Sequence, residues 1–147
     1  MEISQTNDQD YMRLALAEAR LAEEAGEVPI GAVVVCNGEV IARAHNTRET
    51  DRNPAGHAEF SALLAAAKAL DAWRLSDCTV YVTLEPCCHH GKQPPCTEAI
   101  IDAGIKRVVV GSRDPNPLVH GKGNEMLRSH GIIVETDFMR EECDKMN

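Results

Sequence analysis

Arg107-Val108-Val109-Val110-Gly111 is a strand of nearly pure valine, and a strand without polar alternation has to be covered on both faces. Such a chain needs helices above and below a sheet, and the rest of the sequence supplies them in turn. Asp10 to Ala25 reads as an amphipathic helix, with Met12, Leu14, Leu16, Ala19 and Leu21 on its apolar side and Gly26 closing it. After Pro29, an apolar run from Ile30 to Cys36 meets Asn37-Gly38, a strong hairpin signal, and Val40 to Ala44 is the return strand. A polar loop from Asn46 to Gly56 leads into an alanine-rich helix, His57 to Leu70, and Thr79 to Leu84 is the third strand. Pro94-Pro95 opens a helix from Thr97 to Ala103 that Gly104 stops. The valine strand follows, then a helix from Asn124 to His130, ended by Gly131, and a last strand from Ile132 to Glu135. The last dozen residues read as a short acidic helix or a frayed tail. This order predicts an α/β fold, a three-layer α/β/α sandwich on a mixed five-stranded sheet. The first two strands are antiparallel and the later ones largely parallel. One domain spanning residues 1–147 is expected.

Charge and cysteine usage narrow the function classes. A formal net charge of −8 disfavours a protein that tracks nucleic-acid backbones, which needs a basic footprint. Arg48, Arg52, Lys92, Arg113 and Lys122 fall in predicted loops or element ends, where a local positive spot could still form. No apolar run has membrane-spanning length, and the polar, acidic start carries no export signal, so a cytoplasmic location is expected. Of six cysteines, Cys36 and Cys78 fall in or beside strand-like runs and read as buried, inert thiols. Cys87, Cys88 and Cys96 cluster beside histidines, which points to metal binding rather than disulfides.

His57-Ala58-Glu59, with Pro86-Cys87 about thirty residues later and then Cys96, is the chemical centre of the sequence. One imidazole and two thiolates give zinc three protein ligands and leave a fourth position for water, the mark of a catalytic site. Residues two apart on a helix diverge by about 200°, so the metal has to sit at the helix end, where first-turn residues converge. Zinc on His57, Cys87 and Cys96 would lower the pKa of its water and supply hydroxide near neutral pH. Glu59, not a ligand, would take the water's proton, deliver it to a substrate ring nitrogen and then to departing ammonia, as hydroxide adds at the carbon bearing the exocyclic amine. The alternative is a closed structural zinc with a fourth ligand such as Cys88, His89 or His90, His57 then merely capping a helix.

These residues resemble the cytidine-deaminase-like zinc deaminase superfamily, over nearly the whole chain. Glu27-Val28-Pro29-Ile30-Gly31-Ala32-Val33, His45-Asn46, Arg52-Asn53-Pro54-Ala55-Gly56-His57-Ala58-Glu59 and Trp73-Arg74-Leu75 are similar to tRNA adenosine deaminases. Thr83-Leu84-Glu85-Pro86-Cys87-Cys88-His89-His90-Gly91-Lys92-Gln93-Pro94-Pro95-Cys96 resembles the deaminase domain of riboflavin-biosynthesis deaminase/reductases. Asp114-Pro115-Asn116-Pro117 and Gly121-Lys122-Gly123 share that likeness. Eight residues separate Cys87 from Cys96, where the adenosine enzymes have two. The riboflavin resemblance implies that His89 and Lys92 recognise a phosphoribosyl aminopyrimidine. The adenosine resemblance implies that Asn46 contacts the base, with His45 beside it as a further substrate contact. Val28 departs from the riboflavin pattern, which usually has asparagine there. The chain ends at Asn147 without the reductase domain of bacterial relatives, so a stand-alone deaminase is expected.

The resemblance implies a Zn²⁺ cofactor, a small-molecule nucleotide substrate and a homo-oligomer, a dimer. The leading reading is deamination of the diaminohydroxyphosphoribosylaminopyrimidine of riboflavin biosynthesis. The alternatives are deamination of adenosine in tRNA or of a free nucleobase or nucleoside, and a zinc-stabilised binding module without catalysis. The intact Glu59 speaks against the last, since a structural module has no need of that acid.

Overall fold

A computed structural model of the chain describes residues 4–52, 56–87, 95–115 and 121–146. Its elements run α1 (Ser4–Glu24), β1 (Gly31–Cys36), β2 (Glu39–His45), α2 (Ala58–Leu70), β3 (Cys78–Leu84), α3 (Cys96–Asp102), β4 (Arg107–Ser112), α4 (Lys122–Ser129), β5 (Ile133–Glu135) and α5 (Arg140–Met146). The strands form one five-stranded sheet in the order β2-β1-β3-β4-β5. β1 is antiparallel to both β2 and β3, while β3, β4 and β5 are parallel. Asn37 and Gly38 both take positive φ, 51° and 80°, which the hairpin turn requires to match the twist of its strands.

Alternation along the strands splits the core in two. Ala32, Val34, Val80, Val82, Val108 and Val110 face one way, against Ala62, Leu63 and Ala66 of α2, Ile100 of α3 and Leu127 of α4. Val33, Val35, Tyr81 and Val109 face the other way, against Met12, Ala15 and Leu16 of α1 and Cys143 of α5. The valine strand is covered on both sides, as its composition demands. Glycine permits two of the closest approaches. A Cβ at Gly31 would lie 1.9 Å from the Ala15 carbonyl oxygen, and one at Gly111 would lie 2.2 Å from Cys143 Sγ. The second contact shows that the C-terminal segment is a docked helix, not a frayed tail.

Three expectations need correction. The first helix begins at Ser4, well before Asp10. Leu21 is exposed, and the buried stripe is Met12, Ala15, Leu16, Ala19 and Ala22. Nine residues from Met12, Leu21 lies about 180° round the helix, so it alone is misplaced, while Met12, Leu16 and Ala19 are buried as expected. Cys36 is only half-buried; it lies directly across the β1–β3 ladder from buried Cys78.

A polar clamp ties α1 to the sheet. Arg107 holds buried Asp8 through two bonds, Nη2 to Oδ2 at 2.7 Å and Nη1 to Oδ1 at 3.1 Å, and its Nε donates to Glu135 at 2.6 Å. The Tyr81 hydroxyl also donates to Asp8. Burial works to raise the Asp8 pKa, but the Arg107 and Tyr81 hydrogen bonds and the Arg107 charge outweigh it, leaving it below the ordinary 3.8. A carboxylate depressed in the folded state adds stability above its unfolded pKa and loses it as pH falls through the folded value. Asp8→Asn should therefore cost about 2 kcal/mol at neutral pH. In thermal melts across pH, the gap to the parent protein should close below about pH 4; a gap independent of pH would overturn this account.

Candidate metal centre and active site

α2 and α3 start close together, and each carries at its start a residue that could hold a metal ion. His57 is the N-cap of α2, with extended backbone (φ −87°, ψ 141°) and no side-chain cap of its own. The missing cap comes from Asn46, at the end of β2, whose Oδ1 accepts the Ala58 N–H at 2.8 Å. The imidazole of His57 is thereby free of capping duty. Cys96 is the first residue of α3, after Pro95 as N-cap. Cys87 lies in the turn leaving β3 and takes two of the unpaired amides of α3. Its Sγ accepts the Cys96 N–H at 3.3 Å, and its carbonyl accepts the Thr97 N–H at 3.2 Å. Amide donors of this kind favour thiolate.

The ligand atoms of His57, Cys87 and Cys96 all lie within 4.8 Å of one another, the one such group of three among the described residues. Ligands of a tetrahedral zinc sit about 3.5–4 Å apart, so the trio is at ligating range. The protonation chemistry suits a cation. Burial, helped by the Arg48 charge, lowers the His57 pKa and keeps the imidazole neutral, the form that ligates metal. The Cys96 thiol is pushed up, first by its hydrogen bond with Cys87 and then by burial. A divalent cation between the sulfurs inverts that balance, because a coordinated thiol is deprotonated outright.

Glu59, in the first turn of α2, is 4% exposed. Burial is the main cause that pushes its pKa up to about 8; the Cys87 sulfur adds to the rise, while its own backbone amide and the Cys96 thiol oppose it. A buried carboxyl beside a three-donor metal cluster is the arrangement a proton shuttle needs.

The remaining candidates fall in different places. His45 gives Nδ1 to Glu18 Oε1 at 2.7 Å, and Arg43 Nε donates to the same carboxylate at 3.1 Å. His89 and Lys92, with Cys88 and His90, lie outside the described residues. Arg113 is engaged by Asp137 at 3.1 Å, while Arg48 bears on His57 through its charge. Sequence reasoning missed three acids that frame the site. Glu18 orients His45. Glu27 accepts the Glu49 and Thr50 amides and the Thr50 hydroxyl, pinning the loop that leads to His57. Glu85 is 3% exposed and bonded to backbone amides of the segment after β4. The one cue available was the position of Glu85 immediately before Pro86-Cys87.

Two helix starts and a strand end, gathered around a nitrogen, two sulfurs and a buried carboxyl, define a zinc-binding deaminase. Residues 5–112 match the cytidine and deoxycytidylate deaminase zinc-binding region, and the chain belongs to that family. It is 45% identical over 145 residues to a tRNA-specific adenosine deaminase of Bacillus subtilis, covering 96% of this chain and 86% of that protein. It is 44% identical over 142 residues to the riboflavin biosynthesis protein RibD of Actinobacillus pleuropneumoniae, covering 95% of this chain but 35% of that protein. A crystal structure of a diaminohydroxyphosphoribosylaminopyrimidine deaminase/5-amino-6-(5-phosphoribosylamino)uracil reductase from Thermotoga maritima superposes with a TM-score of 0.83 at 42% identity. That match covers 97% of this chain and 39% of the other. The chain thus spans little more than a third of the RibD proteins it matches, but 91% of a diaminohydroxyphosphoribosylamino-pyrimidine deaminase of Buchnera aphidicola, to which it is 38% identical. Among the described residues no helix is long and apolar enough to cross a membrane.

Cys96→Ser should bind zinc with at least tenfold lower affinity, read as metal content after dialysis against a weak chelator. Full stoichiometry after that dialysis would transfer the third ligand to another residue.

Proposed function

We propose that the chain hydrolyses the exocyclic amine of an aminopyrimidine nucleotide, the phosphoribosylated diaminopyrimidine of riboflavin biosynthesis, with His57, Cys87 and Cys96 as zinc ligands and Glu59 as proton shuttle. The observation that carries the choice of substrate is the spacing of the two cysteines. Eight residues separate them, as in the riboflavin family, and His89 and Lys92 stand in that interval to grip ribose or phosphate. Identity to relatives does not discriminate, at 45% and 44% for the two named activities. The reading carries with it a cytoplasmic homodimer, as the family resemblance implies.

Zinc held by these three side chains supplies a polarised water able to give up a proton near neutral pH. The rest is the work of the chain. Glu59 accepts that proton and passes it to the ring nitrogen beside the amine-bearing carbon, then carries a proton to the amine as the C–N bond breaks. Water and the amine become a carbonyl and ammonia, so atoms balance. A shuttle has to exist in both protonation states. Burial lifts Glu59 to about 8 and a neighbouring cation draws it back, which keeps both states within reach near neutral pH. Asn46 has its oxygen committed to Ala58, so its amide N–H₂ is the part free to donate to the ring. Glu18 holds Nδ1 of His45 and leaves Nε2 for substrate.

Deamination of adenosine in tRNA is the second reading, supported by 45% identity to the Bacillus subtilis tRNA-specific adenosine deaminase. Ammonia release from the aminopyrimidine nucleotide, an adenosine-containing tRNA stem-loop, cytidine, adenine and guanine, beside a low-salt gel shift with tRNA, separates the two. Preference for the stem-loop would overturn the leading assignment. Glu59→Ala should keep zinc and fold while turnover falls about 10³-fold or more; retained turnover would remove Glu59 from the mechanism.

A further inference from the structure

Cys36 and Cys78 are partners on the last rung of the β1–β3 ladder, one closing β1 and the other opening β3. Residues directly opposite one another on antiparallel strands project from the same face, and both thiols lie on the face that packs against α2. Cα atoms so paired are about 4.5–5.5 Å apart, inside the span of about 4.4–6.8 Å that a disulfide bridges. A terminal rung is tied to the ladder on one side only, so the small approach of the two Cβ atoms that a bond requires disturbs no rung beyond it. The sulfurs already act on each other. Burial is the main cause that pushes the Cys78 thiol up to about 12, and Cys36 adds to the rise through a hydrogen bond and its charge.

The pair is unequal and stands apart from the other described cysteines. Cys36 is half-buried and open to a reagent, whereas Cys78 is 3% exposed. Cys87 and Cys96 belong to the metal cluster, and Cys143 packs against Gly111 on the opposite face of the sheet. Cys78 also sits far from the chemistry. It opens β3, and Cys87 lies beyond the other end of that strand; the six steps from Cys78 to Leu84 span about 20 Å.

We propose that Cys36 and Cys78 form a redox modification site: a small-molecule disulfide oxidises them to a cross-strand bond that staples β1 to β3 at the end of the sheet away from the metal cluster. The exposed Cys36 reacts first. Its thiolate attacks one sulfur of the reagent, the reagent's S–S bond breaks, and the departing thiolate takes up a proton. The Cys78 sulfur then gives its proton to solvent, attacks Cys36 Sγ and displaces the second thiol. Two protein thiols are oxidised, one reagent disulfide is reduced to two thiols, and two electrons pass between them. The buried Cys78 sulfur is a poor leaving group because its thiol is so weak an acid, so the bond is slow to be cut on that side. The staple closes a loop of about forty residues, which constrains the unfolded chain. That loop holds β2 and α2, and with them His57 and Glu59.

The test treats the zinc-loaded chain with glutathione disulfide, blocks remaining thiols, and digests without reduction for mass spectrometry. The expected product is a peptide pair joined through Cys36 and Cys78, formed while zinc stoichiometry stays full. The melting temperature of the oxidised protein should rise by about 5 °C or more and fall back on addition of dithiothreitol. Cys36→Ser and Cys78→Ser should each remove both the linked peptide and the rise. If Cys78→Ser does not fold, Cys36→Ser, at the half-buried position, carries the comparison. A glutathione adduct on Cys36 as the sole product would overturn the proposal, as would a linked protein that melts no higher than the reduced one. Loss of zinc ahead of the Cys36–Cys78 link would do the same, by making the metal-cluster thiols the first to oxidise. None of these readouts depends on which substrate the chain deaminates.

Discussion

The strand order makes every βα connection on one side of the sheet begin at the same end. β1 lies between β2 and β3 and is antiparallel to both, so β2 and β3 are parallel to each other. The chain from β2 to β3 must then cross over β1, and it does so through α2. Parallel crossovers are right-handed, and the order β2, β3, β4, β5 proceeds in one direction across the sheet. Handedness and direction together place α2, α3 and α4 on a single face, where their buried residues are found, and start each of them beyond a strand's carboxyl end. His57 and Cys96 meet because of this. The metal cluster is a consequence of topology before it is a consequence of any local motif.

Buried carboxylates show how the frame divides structural from chemical work. Asp8 is matched by Arg107 and Tyr81, Glu18 by Arg43 and His45, and Glu85 by four backbone amides. Each gains enough donors to offset the cost of removing a charge from water, about 1.5–3 kcal/mol for every hydrogen bond to an ion. Among the described residues, its own amide and the Cys96 thiol oppose the burial of Glu59, and its pKa rises. The acid with the fewest donors to offset its burial is the one beside the three atoms that could hold a metal ion. A fully satisfied carboxylate would hold its charge too firmly to pass a proton in both directions.

Local signals were legible in the sequence because their causes are local. Asn37-Gly38 had to turn, Arg107 to Gly111 had to be covered twice, and the order of elements fixed three layers. The convergence of His57, Cys87 and Cys96 was legible because imidazole and thiols at loop-to-helix junctions have few other uses. Glu85 was not. Its partners are 29 to 39 residues away, and they are backbone N–H groups, which every non-proline residue has and no residue type announces. The same blindness hid Asn46 as the distant cap of α2, since capping rules look to the residue beside the helix. Leu21 failed for a different reason. In α1 much of the buried stripe is alanine, so a large leucine off the stripe was counted with it while Ala15 and Ala22 were passed over.

Selection among substrates has to arise away from the reacting atoms. An amine on a carbon next to a ring nitrogen is common to cytosine, adenine, guanine and the aminopyrimidines, so chemistry at that carbon does not by itself select among them. Near-equal identity to relatives named for different substrates is what a shared chemical core produces. The two cysteines are separated by eight residues that include two histidines and a lysine, in a chain whose net charge is −8. A mean field of that sign opposes an extended polyanion, whose binding grows with the number of phosphates neutralised. It is offset far more readily over a single phosphate, where a few nearby cations outweigh the distant, screened remainder. The proposed choice of a small nucleotide over a nucleic-acid stem rests on this charge balance rather than on the chemistry at the reacting carbon.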